Sequence, residues 1–559
     1  MSESRRDPDP SAEAPAVSTA EPELAPNEVT RGPLASGLVK FAAPLTLAMA
    51  SSALYVLVDM IWVGKLGVAA VAGVLGGGLL IKLGFAFQLG AQTGAMAFLA
   101  RRFGADDMAG ARVAARQGLL LSVGLGTIVA VIYGVFAESL MSGALGQSAA
   151  VSEAGAAYLI PSAIFMPLVF LQSQLATVLQ AIGESRKTTA IYLISALVNI
   201  VLDPILIFGW IGPELGVAGA AWATIAARGV GALLGMAFLL SPKGPAARLA
   251  IMGEEGTDGF PRPGRLMLDM IRVGTPRFIQ FAFLPASQIL LVGFAVTLVA
   301  AADRDAVSAA LTVCARLEFM VMLPTFGLSR SVAVYVGQNL GAGFVRRAWQ
   351  SAGVAVGLSM LYLILASTLL VTAPRVILSP FLALTERPSV SAREMPGPAA
   401  TIADHAASEA LRKREKVLEY GSRYLSTVGL MLAFWSCAII LNSAVNGAGD
   451  TLVPAILMAL MLLGGRVGLA WYRAPELGVD AIWWAIAASM ALSGVLFALY
   501  FLTGRWVREL EPASEPDPEA TSEAGSQPVS EATGSAAVST SGRLEVATVR
   551  APAAGATKP

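Results

Sequence analysis

Twelve apolar stretches, each long enough to cross a lipid bilayer, run through this 559-residue chain and restrict its fold more than any other feature. They fall at about 35–62, 69–99, 112–137, 154–182, 188–210, 216–240, 267–300, 306–339, 347–378, 418–446, 452–472 and 479–503, where a transmembrane helix needs about 20 apolar residues. Inside a bilayer the backbone must satisfy its own hydrogen bonds, and a helix does so within one segment. Composition agrees. Only 14% of the residues are charged and 55% are hydrophobic, against the roughly 25% charge of a soluble domain, and the mean hydropathy is +0.66. The expected fold class is an all-α membrane protein with twelve transmembrane helices.

Residues 1–32 and 511–559 are rich in Ser, Pro, Ala and Glu; they cannot bury a core, so both are expected to be disordered tails. The core between them leaves about 40 residues for each helix with its connection, and no room for a soluble domain except around 380–416. The first thirty residues are acidic and proline-rich, so no signal peptide is expected and the first helix is its own targeting signal. A net charge of zero offers nothing to a nucleic acid. Cys314 and Cys437 lie in apolar stretches and make no disulfide framework.

The chain repeats itself. Pro213-Glu214-Leu215-Gly216-Val217 recurs verbatim as Pro475-Glu476-Leu477-Gly478-Val479, 262 residues on. Lys40-x-x-x-Pro44 matches Arg272-x-x-x-Pro276 at a spacing of 232, Gly104-Ala105 matches Gly341-Ala342 at 237, and Gly183-Glu184-Ser185 matches Gly449-Asp450-Thr451 at 266. The jump of 29 between the last two spacings locates an insertion in the polar stretch 379–416, between the ninth and tenth spans. Six helices per copy is an even number, so both copies enter from one side and are related by an axis along the membrane normal. The expected division is an N-lobe 33–240, a linker 241–266 and a C-lobe 267–510 carrying the insertion.

Connections 2/3, 4/5, 6/7 and 8/9 hold 13 Lys and Arg residues, whereas the opposite set holds only Lys65, Arg304 and Arg473 outside the insertion. The positive-inside rule therefore places both termini, the tails and the linker in the cytoplasm. Arg412, Lys413, Arg414 and Lys416 disagree and read as the base of an external extension, since long translocated segments weigh less in this rule.

Ionisable groups at membrane depth are the default functional candidates. Ser52, Tyr55 and Asp59 share a face of the first span, and Ser195, Asn199 and Asp203 share a face of the fifth. Pro204 cannot donate to the carbonyl of Ile200, which leaves another oxygen available. Oxygen ligands of this kind suit H⁺ or Na⁺; a carboxylate that caps a helix or pairs with a lysine is the alternative.

Val58-Asp59-Met60 with Gly64, Gly104-Ala105-Asp106, Leu179-Gln180-Ala181-Ile182-Gly183, Val198-Asn199-Ile200-Val201-Leu202-Asp203-Pro204 and Val336-Gly337-Gln338-Asn339-Leu340-Gly341-Ala342-Gly343 resemble the multidrug and toxic compound extrusion (MATE) transporters over residues 34–505. The resemblance implies two six-helix lobes forming a V around a central cavity, and efflux of organic compounds driven by H⁺ or Na⁺ with no other cofactor. It implies a multi-pass protein of the bacterial inner membrane, acting as a monomer. In the DNA-damage-inducible prokaryotic branch the N-lobe cation site corresponds to Asp59, Asn199, Asp203 and Thr224, and Pro44 to the proline at which the first helix bends. By the repeat spacings the C-lobe partners of those four are Leu291, Gly465, Leu469 and Ile486, so the second half keeps the scaffold without these carboxylates. Coupling is expected in the N-lobe alone.

Four basic residues, Lys82, Arg277, Arg330 and Arg466, fall within apolar spans. Arg277 and Arg466 read as snorkelling or helix-end residues. Lys82 and Arg330 either pair with an acid such as Glu318 or bind an anionic or zwitterionic substrate. Tyr55, Gln172, Gln288 and Asn442 join Lys82 and Arg330 as candidate substrate-cavity residues, although amides also serve as interhelical glue. An enzyme is not expected: His405 is the single histidine, and Gly183-Glu184-Ser185-Arg186-Lys187-Thr188 lacks the spacing of a phosphate loop. The rival function is a flippase of lipid-linked oligosaccharide, with Lys82 and Arg330 on a pyrophosphate.

Overall fold

The computed structural model describes residues 28–144, 148–253, 263–385 and 398–507, and all regular structure among them is helical. Most of the predicted tails 1–32 and 511–559 lies outside the described residues. In chain order the major helices are α1 (Leu34–Gly64), α2 (Val68–Gly104), α3 (Met108–Ser139), α4 (Ala149–Ile164), α5 (Met166–Ala181), α6 (Ser185–Phe208), α7 (Val217–Leu239), α8 (Pro263–Ala295), α9 (Arg304–Gly341), α10 (Val345–Thr372), α11 (Pro374–Thr385), α12 (Pro398–Val428), α13 (Leu432–Gly447), α14 (Leu452–Ala459), α15 (Leu469–Leu477) and α16 (Asp480–Leu502). Among the described residues eleven spans are long and apolar enough to cross a membrane, and the bent pair α4 and α5 makes a twelfth when taken as one span.

Three elements differ from expectation. The fourth span is broken, α4 and α5 meeting at 57°. Pro167 sits in the first turn of α5 and has no N–H for the carbonyl of Ala163, so the ladder ends there. The polar insertion also contributes structure: α12 starts at Pro398 and leads through the 3₁₀ turn Gly429–Met431 into α13. Its basic residues meet acids at the starts of other spans. Lys413 lies 3.6 Å from Asp305, Lys416 3.9 Å from Asp303, and Arg423 3.6 Å from Asp480. Asp303 and Asp305 belong to connection 7/8 and Asp480 opens the twelfth span, so Lys413 and Lys416 occupy the basic-poor end and pair with acids there. Finally, Glu28–Arg31 forms a helical turn at the end of the expected N-terminal tail. Val29 is buried and its carbonyl accepts from Asn339 Nδ2 at 3.4 Å.

The repeat is visible in the backbone. Gly216 and its partner Gly478 adopt φ 56°, ψ −130° and φ 56°, ψ −136°, a region open only to glycine. Asp106 at φ 62° matches Gly343 at φ 76°; aspartate tolerates this left-handed turn where most side chains do not.

The two halves meet at the end that carries the arginine-rich connections. Arg101 Nη1 donates to the carbonyl of Ala448 at 3.1 Å, Gln338 Nε2 to that of Ala181 at 2.6 Å, and Ser331 Oγ to that of Leu38 at 3.3 Å. Backbones touch directly. A Cβ on Gly104 would clash with the carbonyl of Gln338, and one on Gly341 with that of Arg101. The linker lies on the same end: Arg116 donates to the carbonyls of Ile251 (2.9 Å) and Gly253 (2.7 Å), and Arg112 to that of Leu249 (3.2 Å).

Candidate functional site

The helical spacing of α6 stacks Ser195, Asn199 and Asp203, and α7 brings Thr224 against them. Asn199 Nδ2 donates to Asp203 Oδ1 at 3.2 Å and approaches Thr224 Oγ1 at 3.3 Å. Asp59, from α1, is close enough to Asp203 for their charges to interact. Asp59, Asn199 and Asp203 are 7%, 2% and 0% exposed. One oxygen on each, Asp59 Oδ1, Asn199 Oδ1 and Asp203 Oδ2, is buried with no hydrogen-bond donor. Buried polar atoms are normally paired, and an unpaired carboxylate oxygen is the most costly of them. Of the three, Asn199 also lines a cavity of about 10 Å³, room for one water-sized particle, together with Ser52, Tyr55, Tyr192, Thr224 and Arg228 among others.

Arg228 is the residue that the sequence reading missed. It lies four residues beyond Thr224 and donates to Tyr55 Oη at 2.7 Å and to Gln172 Oε1 at 3.1 Å. Gln172 in turn donates to Ser195 Oγ at 3.2 Å. Tyr55 is thus tied from α1 to α7 and α5, while Gln172, fully buried, serves as interhelical glue rather than lining the cavity. Tyr158 of α4 also stands within electrostatic reach of Asp59, Asp203 and Arg228.

A second cavity, of about 190 Å³, lies between the lobes, above the seal just described. Arg277 of α8 and Arg330 of α9 are its charged lining, with Gln92, Met96, Phe326 and Asn446 among the other walls. The remaining candidates lie elsewhere. Lys82 is exposed and lines neither cavity. Gln288 is half-buried outside both cavities. Asn442 is buried in an amide network, accepting from Gln280 Nε2 at 3.2 Å and Asn446 Nδ2 at 2.9 Å.

Two readings of the basic residues are corrected. Arg466 does not snorkel: it is 1% exposed, donates to Ser489 Oγ at 2.9 Å and lies over the Trp435 ring at 5.6 Å. Glu318 accepts from Tyr424 Oη at 2.6 Å and faces Arg466, rather than pairing with Lys82 or Arg330. Glu318 thus gives the C-lobe a half-buried acid, at a position unrelated by the repeat to Asp59 or Asp203.

The MatE family model matches residues 44–205 and again 278–391, once in each half. The probable multidrug resistance protein YoeA of Bacillus subtilis is 25% identical over 476 residues, which is 82% of this chain and 92% of YoeA. The FAD transporter of Shewanella oneidensis is 26% identical over 341 residues, 60% of this chain and 71% of that protein. Among solved structures, a MOP superfamily transporter from Pyrococcus furiosus, described as having a binding pocket of reverse polarity, superposes with a TM-score of 0.73 at 21% identity and covers 87% of this chain and 100% of its own. With the doubled family pattern falling on two six-span halves, this multi-pass membrane protein belongs to the MATE family of multidrug efflux transporters.

Proposed function

We propose that this chain is a secondary active exporter that exchanges an entering H⁺ or Na⁺, bound at Asp59, Asn199, Asp203 and Thr224, for an organic substrate leaving through the inter-lobe cavity. The observation that carries the reading is the trio of buried, unpaired oxygens on Asp59, Asn199 and Asp203, of which Asn199 also borders a cavity the size of one water. Two neighbouring carboxylates in a low-dielectric site need a positive charge between or upon them. A proton on one of them, or a Na⁺ held by all three side chains, supplies it. The seal at the arginine-rich end, cytoplasmic by the positive-inside rule, makes this the outward-facing arrangement. Relatives carrying the names multidrug resistance protein and FAD transporter indicate that the scaffold serves both drug-like and anionic cargo. The flippase alternative loses the residue pair it needed, since Lys82 is exposed and does not share the cavity of Arg330.

The test is transport in proteoliposomes with pH and Na⁺ gradients imposed separately. One of the two gradients should drive export, and Asp59→Asn and Asp203→Asn should each abolish it while the protein stays folded, because an amide keeps the shape but neither exchanges a proton nor balances Na⁺. Wild-type export by either variant would remove that residue from the coupling site.

A further inference from the structure

We infer that the inter-lobe cavity is an anion site, and that the exported substrate carries a carboxylate or phosphate group seated between Arg277 and Arg330. The inference rests on the exporter reading above for the direction of transport, but the binding site stands on its own geometry. Both guanidinium-bearing residues line the cavity, one from α8 and one from α9, and no aspartate or glutamate lines it. Arg330 lies within electrostatic reach of Arg277, and the cavity they share has no acid among its described lining residues. A cluster of like charges in a low-dielectric slot is repulsive until an anion enters, whereupon the same proximity becomes attraction from both sides. A cationic drug would meet two positive charges and no counter-charge.

The two arginines are prepared differently. Arg277 Nη1 donates to Gln280 Oε1, and Gln280 is held in turn by its own donation to Asn442 Oδ1 and to the carbonyl of Pro454, both at 3.2 Å. This fixes the Arg277 fork while leaving its other N–H groups to a ligand. The Arg330 guanidinium makes no hydrogen bond or salt bridge to any described residue, and Arg330 is only half-buried because it borders the cavity. A planar guanidinium with free donors matches a carboxylate or phosphate in bidentate fashion. Met49, Leu89, Met96 and Phe326 supply an apolar wall for the rest of the molecule, so an organic anion with a hydrophobic body fits better than an inorganic one. An arginine at this membrane depth, kept with no acidic partner, is costly unless a ligand repays it.

The site also touches the joint between the lobes. Gln180, at the end of α5 in the N-lobe, donates to the backbone carbonyl of Arg330 at 3.5 Å and lines the same cavity. An anion drawn onto Arg330 therefore sits directly over a contact that must break when the lobes part.

The experiment uses the full chain in nanodiscs with no ion gradient, and three probes that share one ring: 1-naphthylacetate, 1-naphthyl phosphate and 1-naphthylmethylammonium. Equilibrium dialysis should show at least one anion binding about tenfold or more tightly than the cation, and Arg277→Gln and Arg330→Gln should each weaken that anion by about tenfold, the value of one charged hydrogen bond. Arg330→Lys keeps the charge and should lose less than Arg330→Gln. Comparison of the two anions tells carboxylate from phosphate. Equal or tighter binding of the cation, or unchanged anion binding in a folded Arg330→Gln protein, would overturn the proposal. Because binding is read at equilibrium, its failure leaves gradient-driven export untouched; conversely, export that ignores both gradients would sink the exporter reading with the anion site intact.

Discussion

Arg228 shows what a single side chain does in the N-lobe. Its donors go to Tyr55 and Gln172, not to Asp59 or Asp203, so its role is to hold α1 against α7 and α5 beside the carboxylates. A hydrogen bond to a charged group contributes about 1.5–3 kcal/mol; Arg228→Gln and Tyr55→Phe are each expected to slow ion-driven export about tenfold while leaving the pH midpoint of transport in place. A midpoint moved by about one unit in Arg228→Gln, equivalent to 1.4 kcal/mol, would show instead that the guanidinium acts on a carboxylate directly. Asn199 and Asp203 were legible together in the sequence because i, i+4 spacing puts them on one face, whereas Thr224 entered only through the resemblance to the MATE transporters. Arg228 carried the same signal, four residues after Thr224, but its partner Tyr55 lies 173 positions away and only tertiary packing joins them. Lys82, exposed and outside both cavities, marks the converse limit: periodicity says which residues share a face, and not which faces other helices cover.

Among the elements, α1 is the one whose sequence stores a weak point. The helix runs from Leu34 to Gly64 with Pro44 inside it, and the carbonyl of Lys40 has no donor there. Gly327 of α9 packs onto this turn so closely that a Cβ would strike Thr46 Oγ1 and the carbonyl of Ala42, so the turn is supported by the opposite lobe. The same physics broke the fourth span at Pro167, yet nothing in the sequence distinguished a proline that bends a helix by 57° from one that leaves it continuous. The difference lies in what packs around each. Asp59 sits four turns beyond Pro44 on the same helix, so a bend at Pro44 would move the proposed coupling carboxylate relative to α6. Pro44→Ala restores the missing donor and should slow turnover more than it weakens ion binding. Both are measured on the one variant, transport in proteoliposomes and ion affinity by titration; normal turnover, or a loss accounted for by weaker ion binding, would exclude bending at Pro44 as the coupling step.

At the scale of the whole molecule the duplication that was legible in the sequence becomes a joint. Gly104 and Gly341 are repeat partners, and each lets its helix end press against a backbone carbonyl of the other lobe, Gln338 and Arg101 respectively. One clasp made twice, by related residues from both sides, is what a two-lobed transporter needs at the end it must open and close. Rigid rocking about a central site requires that the closed state be stable by only a few kcal/mol, or the lobes would never part. A methyl group at either glycine meets backbone, which cannot swing aside as a side chain would, and such overpacking costs about 1–3 kcal/mol. Gly341→Ala should therefore shift the population toward a state parted at this end and reduce export, without touching Asp59, Asn199 or Asp203. The readout is Ala181→Cys, a position that is 0% exposed and whose carbonyl accepts from Gln338 across the joint. In the Gly341→Ala background a water-soluble thiol reagent applied from the arginine-rich face should label this cysteine about tenfold faster, as a shift of 1.4 kcal/mol dictates, with Cys314 and Cys437 too buried to interfere. Unchanged labelling together with wild-type export would mean that the glycine clasp is packing alone and that the lobes are held shut elsewhere.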